Sequence, residues 1–235
     1  MQKATGIVLD KPGKADYRTP ASFRIIVLLK TVSIILERLS ALRLVSPAHS
    51  LGLLFPNQCG SLAGLGCFDT VATLTHEVRL LQAASFKVST LFLDVKGGFD
   101  NVCANKLPSI LTKWGVTAYL VAWIKSFLSK HHCRLIFQGA PKVFCPVAVG
   151  TPQGSPISPL LFVLDIASLH PTIPQGLMIS CVHNLTIMVS SDSVCSNIGA
   201  LQHLSNIIQR PGADLGVVFS VPKTELIHRR TLKDR

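Results

Sequence analysis

The sequence predicts an α+β fold with strands and helices in split βαββαβ order, and three features carry that expectation. An apolar strand, residues 88–94, ends on the carboxylate of Asp94 and runs into a Gly97-Gly98 turn. Two further apolar stretches, 177–182 and 185–190, meet at the polar pair His183-Asn184, as the arms of a hairpin do. Between and after them, apolar residues recur at helical spacing. In chain order this gives strand, helices, hairpin, helix, strand.

Residues 1–22 are polar and turn-rich, with Lys11-Pro12-Gly13-Lys14 as a hairpin tip. Leu28, Val32, Ile35, Leu36, Leu39 and Leu42 then predict an amphipathic helix over 27–44, with this stripe inward and the cations on the other face. The stretch 46–66, rich in Pro, Gly and Ser, reads as loop. Asp69 is the expected N-cap of a helix that turns Val71, Leu74, Val78 and Leu81 inward. In the strand that follows, Val88, Thr90, Phe92 and Asp94 share one face, because side chains alternate. Residues 104–128 are helical with a break at Gly115-Val116-Thr117, and Leu107, Ile110, Leu111, Trp114, Trp123, Ile124 and Phe127 form a core stripe. A hairpin of 134–138 and 142–149, joined across Gly139-Ala140-Pro141, is inserted before a helix over 156–169. After the His183-Asn184 hairpin come a helix over 194–209 and a strand over 215–219. Asparagine tolerates positive φ, which suits a two-residue turn at 183–184.

Composition narrows the function. Only 15% of residues are charged, and mean hydropathy is +0.44, so the chain carries more apolar surface than one domain readily covers; neighbouring domains are the expected cover. The most apolar stretch, 25–44, is interrupted by Lys30, Glu37, Arg38 and Arg43, and a membrane helix needs about 18 uninterrupted residues, so no membrane partner is expected. The N-terminal residues, with Lys3, Asp10 and Asp16, are not a signal peptide. A net charge of +11 fits either a polyanionic partner or a well-solvated surface. Aromatic residues make up 6%, too few for a base-stacking platform. Seven cysteines without paired metal spacing point to reduced thiols and an intracellular setting, with the nucleus compatible. His131-His132-Cys133 reads as a basic loop, since adjacent side chains diverge and no second pair stands at finger spacing.

Two motifs carry the chemistry. A buried strand that delivers a carboxylate needs compensation, because an isolated carboxylate resists desolvation. Asp94 is therefore either a ligand of a hard cation such as magnesium, held together with phosphates, or the cap of the next turn. The second motif, Gly150-Thr151-Pro152-Gln153-Gly154-Ser155-Pro156-Ile157-Ser158-Pro159, combines glycines that admit close approach with a proline suited to a first helical turn.

Together these segments resemble the fingers and palm of a reverse transcriptase of the non-LTR, LINE-like retrotransposon type. Residues 17–29 look like a fingers segment and 56–61 like the stretch after it; 93–100 and 151–156 look like the two catalytic blocks, and Lys223-Thr224-Glu225 like the last palm block. The resemblance implies an RNA-directed DNA polymerase fold with 1–66 as a partial fingers segment and 67–235 as palm with interleaved fingers elements. It implies an RNA template and DNA primer as partners, magnesium as cofactor, and endonuclease, thumb and RNase H regions in a longer polyprotein. No thumb is expected within these residues. By the same resemblance Asp94 and the Val95 carbonyl are metal ligands, and Lys223 is a general acid toward pyrophosphate. Lys11 and Arg24 are phosphate-contacting cations, and Gln153 and Gly154 lie against template and nucleotide. Phe99 either screens the sugar's 2′ face or plugs the core.

One block departs from the family. Where an aromatic residue, any residue and two aspartates are expected, the sequence has Cys181, Val182, His183 and Asn184. Nitrogen of His183 suits zinc better than magnesium, and Asn184 offers one neutral oxygen. Asp100 belongs to the start of the next helix, and Asp192 lies at the far end of its strand. The expectation is a polymerase palm whose magnesium binding is lost or weak and whose synthesis is abolished; the alternatives, in order, are a non-enzymatic basic module that retains nucleic-acid binding and a residual polymerase that works in a larger assembly or with manganese.

Overall fold

Two sheets organise the chain, one in each of two compact units: Met1–Leu51 with Phe99–Leu161, and Gly52–Gly98 with Phe162–Arg235. The computed structural model describes residues 2–55, 57–62, 64–129, 131–147, 150–169 and 176–229. Pro56 of the expected fingers stretch and residues 148–149 of the expected hairpin lie outside the described residues.

The first unit holds a four-stranded sheet in the order β2-β1-β5-β6. Its first strand, β1 (Gln2–Asp10), corrects the reading of residues 1–22 as turn-rich throughout. Lys3, Thr5 and Gly6 break the apolar alternation there, so the strand is made by its neighbours. It pairs antiparallel with β2 (Phe23–Leu28) and parallel with β5 (His131–Phe137). Residues 131–133 thus open a strand, not a loop. The β5–β6 hairpin, with β6 at Ala140–Val147, turns at Gln138-Gly139, both at positive φ, one residue earlier than expected.

Helix α1 (Thr31–Ser50) runs further than the sequence suggested and sits the other way round. Val32, Ile35, Leu36, Leu39 and Leu42, expected inward, are each at least half exposed. Glu37, Leu44 and Ala48 face inward instead. That face buries the apolar Leu44 and Ala48 completely, and the Glu37 carboxylate beside them finds a partner in the Ser155 hydroxyl, from which it accepts a hydrogen bond. Helices α3 (Lys106–Lys113) and α4 (Ala118–Leu128) flank the expected break and bury Leu107, Leu111, Ile124 and Phe127.

The second unit carries the five-stranded sheet β3-β7-β8-β4-β9, with β3 at Gln58–Cys59, β4 at Lys87–Asp94, β7 at Gly176–Cys181, β8 at Asn184–Ser191 and β9 at Glu225–Arg229. Its four long strands are antiparallel to one another, the two-residue β3 pairs parallel with β7, and β4 and β8 lie at the centre. This is the α+β, split βαββαβ arrangement expected. Helix α6 (Val194–Leu215) packs Leu201, Leu204 and Ile208 against Leu91, Leu93, Ile187 and Val189. Helix α2 (Cys67–Ala83) packs Val78 against Val88 and Met188, with Leu74 and Leu81 beside them, while Val71 is exposed. Asp69 is not its N-cap: it stands in the first turn, where its carboxylate accepts the Gly66 N–H at 2.6 Å. Residues 215–219 do not form the last strand. Phe219 makes a single bridge to Val95, and the strand that joins β4 is β9, exposed at every position and so without a readable alternation. Helix α5 (Ser158–Ile166) supplies the apolar segment after the second motif. Among the described residues no helix is long and apolar enough to cross a membrane.

Candidate active site at the end of the five-stranded sheet

Antiparallel pairing brings the C-terminal end of β4 to the turn between β7 and β8. Asp94 stands opposite Asn184, and the Val95 N–H donates to the His183 carbonyl at 2.9 Å. A third segment closes on the same point. The Ser220 N–H donates to the Asp94 carbonyl at 2.8 Å and the Lys96 N–H to the Val218 carbonyl at 2.7 Å. This lays residues 218–220 alongside the strand end and starts the short helical turn Val221–Lys223 there. As a result Lys223 Nζ lies 2.9 Å from Asp94 Oδ2, a charge-assisted hydrogen bond. His183 Nε2 lies 3.7 Å from Asp94 Oδ1, beyond hydrogen-bond range and attractive only when the imidazole is protonated. The Asp94 side chain is 13% exposed, against 64% for Lys223 and 44% for His183. A nearly buried carboxylate is thus held by a cation that reaches in from solvent.

The turn itself differs from the expected one. Cys181 pairs with Asn184, so the two turn residues are Val182 and His183, and Asn184 opens β8. Positive φ falls on Val182, at 54°. A β-branched residue in the left-handed region is costly, by about 1–2 kcal/mol. The neighbouring strand holds it there. The Val182 N–H donates to the Cys59 carbonyl at 3.3 Å, and a Cβ built on Gly60 would stand 2.8 Å from Val182 Cγ2. Gly60, itself at φ 68°, admits the valine because it has no side chain.

Lys11, Arg24, Phe99, Gln153 and Gly154 belong to the other unit. There the second motif leans on β2: the Val27 N–H donates to the Gln153 carbonyl at 2.7 Å, and Gly154, at φ 119°, brings its Cα side against the Val27 carbonyl, 2.7 Å from where a Cβ would stand. The Phe99 carbonyl accepts the Thr151 N–H at 2.7 Å, and Phe99 is half-buried at the start of the helical turn Phe99–Asn101. Arg24 is exposed on β2. Asp100 lies in the Phe99–Asn101 turn; burial raises its carboxyl pKa, and the positive charge of Lys11 partly offsets that rise. Asp192 follows the far end of β8, whose last residue Ser191 pairs with Lys87. Sequence reasoning missed the backbone grip of Ser220 on Asp94 and a contact of Cys181 with Cys67; no short-range pattern signals either.

With this geometry in place, comparisons identify the fold's family. The family model for reverse transcriptase (RNA-dependent DNA polymerase) matches residues 9–233, so the chain belongs to the reverse transcriptase family. It is 32% identical over 157 residues to the probable RNA-directed DNA polymerase from transposon X-element of Drosophila melanogaster, covering 67% of this chain and 17% of that protein. To the probable RNA-directed DNA polymerase from transposon BS of the same fly it is 27% identical over 198 residues, covering 81% and 21%. The chain therefore spans about a fifth of the length of these curated relatives. Both are transposon polymerases, in agreement with the resemblance to the non-LTR retrotransposon type. Apo telomerase of Candida tropicalis, truncated from its C-terminal domain, matches with a TM-score of 0.64 at 13% identity, over 97% of this chain and 50% of that one. Telomerase of the same yeast in complex with a TWJ fragment of telomeric RNA gives 0.67 at 13%, over 96% and 41%. These two likenesses show the fold.

Members of the family use magnesium, and the residues at this site do not fit a pair of such ions. A hard dication needs several convergent oxygens, preferably anionic. Here Asp94 supplies the one carboxylate of the strand end, and an ammonium already occupies one of its oxygens. Among the described residues no group of three or more His, Cys, Asp or Glu is placed to hold a metal ion.

Proposed function

We propose that this member of the reverse transcriptase family is a palm that keeps affinity for nucleic acid and does not carry out magnesium-dependent nucleotide addition. The single observation behind the reading is the Lys223–Asp94 pair at 2.9 Å, at a sheet end where His183 and Asn184 replace carboxylates. Phosphoryl transfer by two ions depends on oxygens that stabilise both the attacking and the leaving group. Losing that stabilisation costs several kcal/mol, and each ~1.4 kcal/mol is a factor of about ten in rate. Support for nucleic-acid binding comes from the net charge of +11 and from family membership. Such binding would act on phosphates, and would weaken steeply with salt while ignoring sequence.

Two measurements test the reading. Primer extension with magnesium or manganese should give no product, and calorimetry should find weak or no divalent binding at this site. Replacing both residues, His183→Asp with Asn184→Asp, would gather three carboxylates at the strand end and should tighten manganese binding at least tenfold, detectable by paramagnetic relaxation. Tight two-site binding together with template-directed extension by the unmodified chain would overturn the proposal. For the nucleic-acid half, filter binding at two salt concentrations should show a clear negative slope; a flat response removes it.

A further inference from the structure

Cys67 and Cys181 are 114 positions apart in sequence, yet their sulfur atoms lie 3.1 Å from each other. Two elements with unrelated roles make this meeting. Cys67 is the first residue of α2, whose start is tied down by the Asp69 carboxylate on the Gly66 N–H. Cys181 is the last residue of β7, immediately before the strained Val182-His183 turn. Both are free thiols, Cys67 exposed and Cys181 buried. We propose that Cys67 and Cys181 are a reversible disulfide site that joins the head of α2 to the base of the β7–β8 turn when a small-molecule disulfide or peroxide oxidant is present.

The geometry asks for little movement. A disulfide needs sulfurs about 2.05 Å apart, so the two must close by roughly an ångström, which a rotation at the exposed Cys67 supplies. Exposure also sets the order of events. With a low-molecular-weight disulfide such as oxidised glutathione, the Cys67 thiolate attacks one sulfur, the glutathione S–S bond breaks and one glutathione thiolate leaves. The Cys181 thiol then gives up its proton and attacks the Cys67 sulfur, and the second glutathione leaves. Two protein thiols are oxidised, one glutathione disulfide is reduced, and both protons end on the glutathione thiols. Burial and the neighbouring Cys67 push the Cys181 thiol up to about 11, which makes it the resolving sulfur and not the one that meets the reagent first. Cys59 lies beside Cys181 on the parallel neighbour strand and is buried, so a solvent-borne oxidant reaches Cys67 before it.

The experiment uses the whole chain, first fully reduced and then equilibrated in glutathione buffers of rising oxidation. The Cys67 and Cys181 thiols should be lost together, tryptic mapping should recover a Cys67–Cys181 linked peptide apart from any glutathione adducts at the exposed Cys145 and Cys195, and dithiothreitol should reverse the link. The melting temperature should rise by several degrees on oxidation, because the new link closes a long loop. Cys67→Ser, an exposed and mild change, should leave Cys181 as a free thiol in the same buffers, while Cys59→Ser should still form the link. A free Cys181 thiol in oxidised glutathione overturns the proposal, as does a linked peptide that joins Cys181 to Cys59, or oxidation of Cys181 in Cys67→Ser. None of these readouts depends on polymerase activity or nucleic-acid binding.

Discussion

Along the same two strands, the body of the β4–β8 pair and its tip follow different rules. In the body, Leu91, Leu93, Ile187 and Val189 are buried against one stripe of α6. At the tip, Asp94 is all but buried while His183 is half exposed and Asn184 exposed. The body is held by apolar area removed from water, an interaction indifferent to the identity of charges a few residues away. The tip is held by backbone bonds and one ion pair. Carboxylates can therefore be exchanged for histidine and asparagine at the tip without disturbing the sheet that displays them. A family's fold and a family's chemistry occupy adjoining residues here and are physically separable.

The largest expected effect lies in the body. Ile187→Ala should cost about 2–5 kcal/mol in urea unfolding, the usual range for a fully buried aliphatic side chain, and a loss under about 1 kcal/mol would show that α6 does not seal that face. Next comes the support of the tip. Gly60→Ala places a methyl 2.8 Å from Val182 Cγ2 at a positive φ, and should cost about 1–3 kcal/mol; an unchanged melting temperature would mean that the turn is not braced by β3. A smaller effect, away from both regions, is pH-dependent. Burial raises the Glu37 carboxyl, while the Ser155 hydroxyl bond partly lowers it again. A raised native value favours the protonated acid, so its contribution is fully present in acid and is lost as pH rises through the native value. Glu37→Gln should match the parent below the ordinary carboxylate range and exceed it at neutral pH; parallel stability–pH curves would refute this. The smallest effect should be at the tip. Lys223→Ala removes an ion pair whose lysine is mostly exposed, and should cost about 0.2–1 kcal/mol by the same urea assay. A larger loss would place the tip among the elements that hold the sheet.

Much of the second unit was legible because β4 and β8 are buried on both faces and its motifs come in a recognisable order. That order set Asp94 against residues 183–184, and the strand register pairs Asp94 with Asn184. The turn was misplaced by one residue because Val182 takes a conformation that valine disfavours, imposed by Cys59 and Gly60 from another strand. Helix α1 was legible as a helix but not in its orientation. Spacing shows that Val32, Ile35, Leu36, Leu39 and Leu42 share a face, and which face turns inward depends on residues far away in sequence, such as Ser155 against Glu37. Strands β1 and β9 escaped for the opposite reason, since a strand made by its partners need not alternate.

Strand β6 is an edge of its sheet, and all eight of its residues are exposed, among them Val143 at 82%. An open rim of apolar strand is a template on which a second molecule can add its own strand and begin a fibre. Pro141 and Pro146 stand near the two ends of that rim, and neither has an N–H to offer an incoming chain. Lys142 adds a charge that a growing stack would have to bury, and the register slips between Arg134 and Ile136 on the partner strand. The sheet therefore ends at β6 as a closed margin, and crowding many copies together should yield disordered clumping through apolar faces sooner than ordered filaments.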